Sequence, residues 1–319
     1  EHIVPSFLKS AEVTSGGLNE RQRRELKLKE TLTGGGMYEA VHYSFFSPAD
    51  LKLFRYPEGS EALRAIRILN PISEELSLMR TVLSPSMANA VMRNQKAGNL
   101  SGRLFELAKV FIPKSLPLTE YPEERAHLAF AFFGKEESFF TLKGALDLAA
   151  ESLHVKFRYE ASSEPFTHPY QTAAVYVGDV KVGYLGKLAY DIAGELNLRT
   201  DAYLAELDLD TIESLPQEPV CFTPLPKFPE VQRDLALVMD KAISCEQVVN
   251  LIRGCSPLIR EVKLFDVYEG APIPPTKKSL AFTLTFRPED EAFTPEALDK
   301  LTQEILETLK TSCDIALRV

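Results

Sequence analysis

Tryptophan is absent from the 319 residues, and cysteine and histidine are scarce, at four and five. The cysteines (Cys221, Cys245, Cys255, Cys313) form no CxxC pair. That argues against a zinc knuckle or a dense disulfide framework and suits inert thiols in a reducing compartment. The histidines (His2, His42, His127, His154, His168) make no HxH or HExxH pair, which argues against a histidine-based metal site. No apolar run approaches the roughly 18 residues of a membrane span, and the opening EHIVPSFLKS is too mixed in character for a leader. Positive charge is not in excess: 36 Lys and Arg stand against 45 Asp and Glu, a net −9. Broad non-specific nucleic-acid binding by charge is therefore disfavoured, while a locally built RNA site is not. No P-loop and no GxSxG is present. Glu74-Glu75 and Glu136-Glu137 are adjacent pairs, which do not share a face, so they read as solvated surface rather than as acid and base.

What is present is ordinary globular composition, 45% hydrophobic and 25% charged, with length for about two domains. The chain begins at Glu1 rather than Met, which sets the expectation of a piece of something longer. The prolines of PLPKFPE (224–230) prevent helix and interrupt a sheet ladder, placing a boundary that divides the chain into 1–221 and 222–319. Both parts are acidic, with 24 basic against 30 acidic residues and 12 against 15. In the first part, GGLNERQRRELKLKETLTGGG predicts a helix capped by Asn19 and ended by Gly34–Gly36. MYEAVHYSFFS, RAIRILN, RLFELAKVFIP, HLAFAFFG, AAVYVGD and KVGYLGKL predict strands, with a hairpin turn at Gly178-Asp179 where both residues supply positive φ. PSMANAVMRNQKAG and TLKGALDLAAESLH predict helices. The pattern implies an α+β plan, an antiparallel sheet with helices on one side. Arg80 and Arg103 are the best anion-binding candidates here, and each also reads as a surface ion pair.

The second part reads as strand 234–240, helix 244–254 (Ser244 cap, Gly254 terminator), strands 261–270 and 278–288, helix 294–312 (Thr294 cap, Pro295 in the first turn) and strand 314–319. This β-α-β-β-α-β order is that of a ferredoxin-like domain. On its third strand Leu280, Phe282, Leu284 and Phe286 alternate toward the helices, leaving Ser279, Ala281, Thr283, Thr285 and Arg287 on the open face. Small and hydroxyl residues let a nucleic acid approach, and Tyr268, beside Lys277 and Lys278, can stack a base while the ammonium groups hold phosphates. The same residues also suit a tyrosine closing the core edge and a solvated lysine turn.

The residues further carry a resemblance. FTPLPKFPEVQRDLALVMD together with EVKLFDVYEGAPIPPTKKSLAFTLTFR resembles the ferredoxin-fold anticodon-binding domain of bacterial phenylalanyl-tRNA synthetase. NPISEELSLMRTVLSPSMANAVMRNQKAGNLSGRLFELAKVF is similar to the catalytic-like module of that enzyme's β subunit. The likeness runs along essentially the whole chain. It implies the C-terminal part of a β subunit: a class II synthetase-like antiparallel sheet with helices that has lost its catalysis, then a ferredoxin-like βαββαβ domain. A working class II site needs an arginine at the end of its second-motif strand and another after a Gly-rich third-motif strand, to neutralise phosphate charge. Here RLFELAKVFIPK ends in lysine, and VGYLGKLAYDIAGEL keeps Gly183 and Gly186 but has no arginine before Arg199. No catalytic residue is therefore expected, and Arg80 and Arg103 become structural. HPYQ at 168–171 stands where the family has HPGR, which leaves an expected β-turn without its glycine.

The resemblance implies a cytoplasmic subunit of the ATP-dependent phenylalanine–tRNA ligase, in an assembly of two α and two β subunits with no membrane association. ATP and Mg2+ would serve the holoenzyme, with no cofactor or metal held in this chain, and the editing site would lie upstream. Residues 18–47 would contact the α subunit. The tail would bind the anticodon of phenylalanine tRNA: Tyr268 stacks the first anticodon base, Ser279 hydrogen-bonds it, and Lys277, Lys278 and Arg287 supply phosphate or ribose contacts. Two other readings stay open. One is a self-sufficient single-chain synthetase, against which the missing arginines argue; the other is a protein-interaction module that never touches RNA.

Overall fold

The structure, a computed structural model, describes residue 4 and residues 16–222, 224–288 and 291–318. Most of the opening stretch read for a leader lies outside the described residues. The chain divides into two compact units, Glu1–Val220 and Cys221–Val319.

The larger unit runs α1 (Glu20–Gly34), β1 (Tyr38–Glu39), β2 (Phe45–Phe46), α2 (Pro48–Phe54), β3 (Leu78–Met79), α3 (Ser84–Lys96), β4 (Gly102–Ile112), β5 (Glu123–Phe133), α4 (Phe139–Ser152), β6 (Phe157–Ala161), β7 (Thr167–Val177), β8 (Val180–Leu188), α5 (Tyr190–Glu195), β9 (Ala202–Asp208) and α6 (Leu209–Ser214). Seven strands form one sheet in the order β1-β4-β5-β9-β8-β7-β6, antiparallel except where β1 joins β4. Helices cover both faces rather than one. Along β5, Leu128, Phe130 and Phe132 pack with Leu28, Leu32, Leu142 and Leu146 of α1 and α4. The intervening Ala129, Ala131 and Phe133 pack on the other face with Phe54, Met87 and Val91 of α2 and α3. The reason is in the strand itself: HLAFAFF has no polar alternation, so both of its faces must be buried.

Local signals decide most helix ends. Asn19 accepts from the Gln22 amide while Gln22 reciprocates, and Gly35 caps α1 at its C-terminus. Other expectations need correction. MYEAVHYSFFS does not form one strand but the two-residue pieces β1 and β2, and RAIRILN makes a single bridge, Arg67 to Leu78, because each has only short stretches of partner backbone. At the β7–β8 hairpin only Gly178 has positive φ, at 58°, the pattern of a II′ turn in which the second residue needs none. HPYQ interrupts the β7 ladder. Thr167 lies opposite Leu188 and Thr172 opposite Gly186, so residues 168–171 stand opposite Lys187 alone, an excursion of three extra residues.

The tail unit runs β10 (Val231–Asp240), α7 (Cys245–Cys255), β11 (Ile259–Tyr268), β12 (Lys277–Phe286), α8 (Pro295–Cys313) and β13 (Ala316–Leu317). Its sheet order, β11-β12-β10-β13, is that of the expected ferredoxin-like plan. Leu280, Phe282, Leu284 and Phe286 are buried against Val248 and Ile252 of α7 and Leu298, Ile305 and Leu309 of α8. Gly254 does not end α7: the helix runs on to Cys255 and stops where Ser256 turns to extended backbone.

Candidate nucleic-acid interface

Because α7 and α8 bury alternate residues of β12, the other set lines a face on which no helix of the tail unit packs. In register, Tyr268 of β11 and Val238 of β10 flank Ser279 of β12. Ser279 is only 2% exposed, sunk between these larger neighbours rather than under a helix. The Tyr268 hydroxyl donates to the Ala271 carbonyl at 2.7 Å, which fixes the ring at the rim of the sheet. Gly270 follows with φ of 155°, a backbone that folds the loop back against that ring. Above the ring, at 4.8 Å from its centroid, lies the Arg318 guanidinium. Arg318 follows β13 at the far edge of the sheet and is tied there by its amide to the Ala236 carbonyl at 2.7 Å. Its side chain therefore reaches across β10 and β12 to form a cation–π contact. The guanidinium therefore occupies one face of the tyrosine ring, beside the recessed Ser279 hydroxyl.

The structure brings Tyr268, Ser279 and Lys277 to one end of the sheet. Lys277 lines a cleft there with Lys241, Glu269 and the loop 270–275. It does not bring Lys278 onto that face. Lys278 pairs with Met239, a core residue, and its Nζ donates to the Lys241 carbonyl at 3.1 Å. Nor does it bring Arg287, which follows the opposite end of β12 and whose guanidinium donates to the Pro224 carbonyl. Arg318 escaped the sequence reading. Its only trace was a short C-terminal strand, whose register and reach the sequence does not state.

In the larger unit the two candidate arginines hold structure. Arg80 is not a surface pair: it is buried, and donates to the carbonyls of Lys109 (2.8 Å) and Tyr43 (3.3 Å) and to Glu106 (3.0 Å). Glu106 also meets His42 Nδ1 at 2.6 Å. Arg103 is bonded to Glu137 at 2.8 Å and lies over the Phe132 ring. Glu137 is therefore mostly buried and paired, which corrects the reading of the Glu136-Glu137 pair as solvated surface. Arg125, unremarked in the sequence, is held by Asp208 and Thr211.

Glu206 forms the densest polar centre. It accepts from the amides of Leu83 and Ser84, each at 2.9 Å, and from the Ser84 hydroxyl at 2.6 Å, and it pairs with His127 Nδ1 at 2.7 Å. In effect a carboxylate from β9 caps the amino end of α3, which has no cap of its own. Burial pushes both the Glu206 and Glu106 carboxyls up. The hydrogen bonds and positive charge around them pull further the other way, so both stay below the usual carboxylate range. Among the described residues no three of His, Cys, Asp or Glu converge to hold a metal ion, and no helix is long and apolar enough to cross a membrane.

Residues 4–209 match the model of the phenylalanyl tRNA synthetase beta chain CLM domain, and residues 226–318 match the ferredoxin-fold anticodon binding domain. The phenylalanine–tRNA ligase beta subunit of Clostridium tetani is 34% identical over 318 residues, covering 99% of this chain and 40% of that protein. That of Moorella thermoacetica is 34% identical, covering 93% and 38%. The chain thus spans about 40% of the length of the curated relatives it matches. The crystal structure of pyrrolysyl-tRNA synthetase from Desulfitobacterium hafniense covers 60% of this chain and 67% of its own at a TM-score of 0.48 and 15% identity.

Proposed function

The chain belongs to the phenylalanyl-tRNA synthetase β-chain family, and from that membership we propose that it serves an ATP-dependent phenylalanine–tRNA ligase as scaffold and RNA anchor. The tail, 222–319, binds the anticodon of phenylalanine tRNA. Tyr268 stacks the first anticodon base, with Arg318, which lies over the ring in this structure, giving way to it; Ser279 hydrogen-bonds that base, and Lys277 holds nearby phosphate or ribose. Lys278 and Arg287 supply phosphate or ribose contacts away from this base. The larger part, 1–221, supports the catalytic α subunit in an assembly of two α and two β subunits, in the cytoplasm. Residues 18–47 are its contact. That stretch leaves Tyr38 (74%), Val41 (86%) and Tyr43 (69%) exposed, more apolar surface than an edge strand facing water needs. ATP and Mg2+ act on the α subunit. In this chain Arg80 and Arg103 are engaged by Glu106 and Glu137 and are not offered to a nucleotide.

The observation that carries the reading is the Tyr268 ring, held at the rim of a helix-free sheet face with a guanidinium above it and a recessed hydroxyl beside it. Tyr268→Ala in the assembled ligase should weaken tRNA use by about 1–3 kcal/mol and leave ATP-dependent phenylalanine activation intact. Undiminished aminoacylation would count against the assignment.

A further inference from the structure

A second concave feature lies at the end of the tail sheet opposite Tyr268. It is a cleft of about 450 Å³ walled by prolines, and among the described residues its charged lining consists of Lys227, Arg260 and Arg287, with no carboxylate. The tail as a whole has more acidic than basic residues, so three cations on one cleft are not a reflection of composition. Each is set on stiff or committed backbone. Lys227 follows the Pro224-Leu225-Pro226 strap. Arg260 occupies the bulge between Ile259 and Glu261, where β11 has one residue without a register partner. The Arg287 amide donates to the Leu258 carbonyl at 2.8 Å, and its guanidinium pins the strap through Pro224. Among the described residues none of the three forms a salt bridge. Glu289 and Asp290, next in sequence, lie outside the described residues.

Unpaired cations on a preorganised wall are what a polyanion backbone requires, and guanidinium groups meet phosphate through two parallel hydrogen bonds. We propose that this cleft grips the sugar–phosphate backbone of the same RNA whose unpaired base settles on Tyr268. The proposal rests on the anticodon reading and extends it. Ser279 and Arg287 are eight residues apart along one strand direction, about 26 Å at roughly 3.3 Å per residue. Between them the open face carries Asp234 and Lys263, both opposite Thr283, with Asp266 opposite Ala281 and Glu261 opposite Thr285. Three carboxylates against one ammonium disfavour phosphate there, so the RNA is held at the two ends of the sheet, by a base at one and by phosphates at the other.

The test is equilibrium binding of phenylalanine tRNA to the assembled ligase over a range of salt concentrations. Lys227→Gln with Arg260→Gln should make the slope of log K against log[salt] shallower by about 1.4 to 1.8, since each phosphate contact contributes roughly 0.7–0.9. The loss should be the same for tRNAs with altered anticodons. Tyr268→Ala should instead lower affinity with the slope unchanged. The charge-keeping pair Lys227→Arg with Arg260→Lys should retain the parent slope. If it loses as much as the neutral pair, the effect is structural and the proposal is overturned. An unchanged slope in the neutral pair also overturns it, and if a polyglutamate peptide binds the parent but not that pair, the cleft belongs to an acidic protein segment instead. A Tyr268→Ala ligase with undiminished tRNA affinity sinks the base site, a failure distinct from either of these.

Discussion

Tyr56 is a residue whose polar atom works against the fold. Its ring stacks with Phe54 and packs tilted on Phe166 in the core of the larger unit, yet its buried hydroxyl has no hydrogen-bond partner among the described residues. Burial keeps it protonated, far above the usual tyrosine range. Tyr56→Phe should therefore raise stability by about 1 kcal/mol, measured by urea unfolding; a loss of that size would mean that the hydroxyl has a partner after all. Glu206 is the opposite case, with every contact satisfied. Its replacement by Gln should cost about 3–5 kcal/mol, because the α3 amides and His127 then lose the charge that holds them. The sequence made Tyr268 legible as a rim aromatic, since a strand end beside a proline-rich loop is a local pattern. It hid Glu206 and Arg318, whose partners are 122 and 50 positions away.

At the scale of elements, the caps that were legible are those made within one turn. Asn19, Ser244 and Thr294 each accept an amide hydrogen bond from the residue three positions on, a contact that sequence spacing states directly. The cap of α3 comes from β9, and no spacing states it. Gly183 and Gly186 had been read for a motif, and the structure gives them a packing role. A Cβ on Gly183 would sit 2.1 Å from the Glu206 carbonyl oxygen, and one on Gly186 would meet Thr172 Oγ1 at 2.9 Å. Gly183→Ala should force β8 and β9 apart and destabilise the larger unit by about 1–3 kcal/mol, visible as a lowered melting temperature. The bulges in β7 and β11 were illegible for the same reason as the α3 cap: a register shift depends on the neighbouring strand.

Over the whole molecule, the acid response should be uneven. Glu106 and Glu206 are both buried in the larger unit, while the tail buries no carboxylate among its described residues. Both glutamates titrate below the ordinary value of 4.5 in the folded chain. Their contribution is therefore complete above that pH and is lost as pH falls through the lower folded values. Thermal melts between pH 7 and pH 3 should show the larger unit weakening first, and Glu106→Gln with Glu206→Gln should flatten that dependence. A tail that melts first on acidification would contradict it.

The order of elements in the tail, its buried face and most helix ends were settled by the sequence alone, because periodicity and caps act over three or four residues. In the larger unit the sequence reading placed helices on one side of the sheet, whereas the structure covers both; the apolar run of β5 suits two covered faces, but which helices cover each depends on how the chain closes. Tertiary structure alone decided that Arg318 meets Tyr268, that Ser279 is recessed, that Lys278 and Arg287 stand away from both, and that Arg80 is buried. Those outcomes follow from strand register and from which side chain shields which, and both are properties of segments brought together from distant parts of the chain.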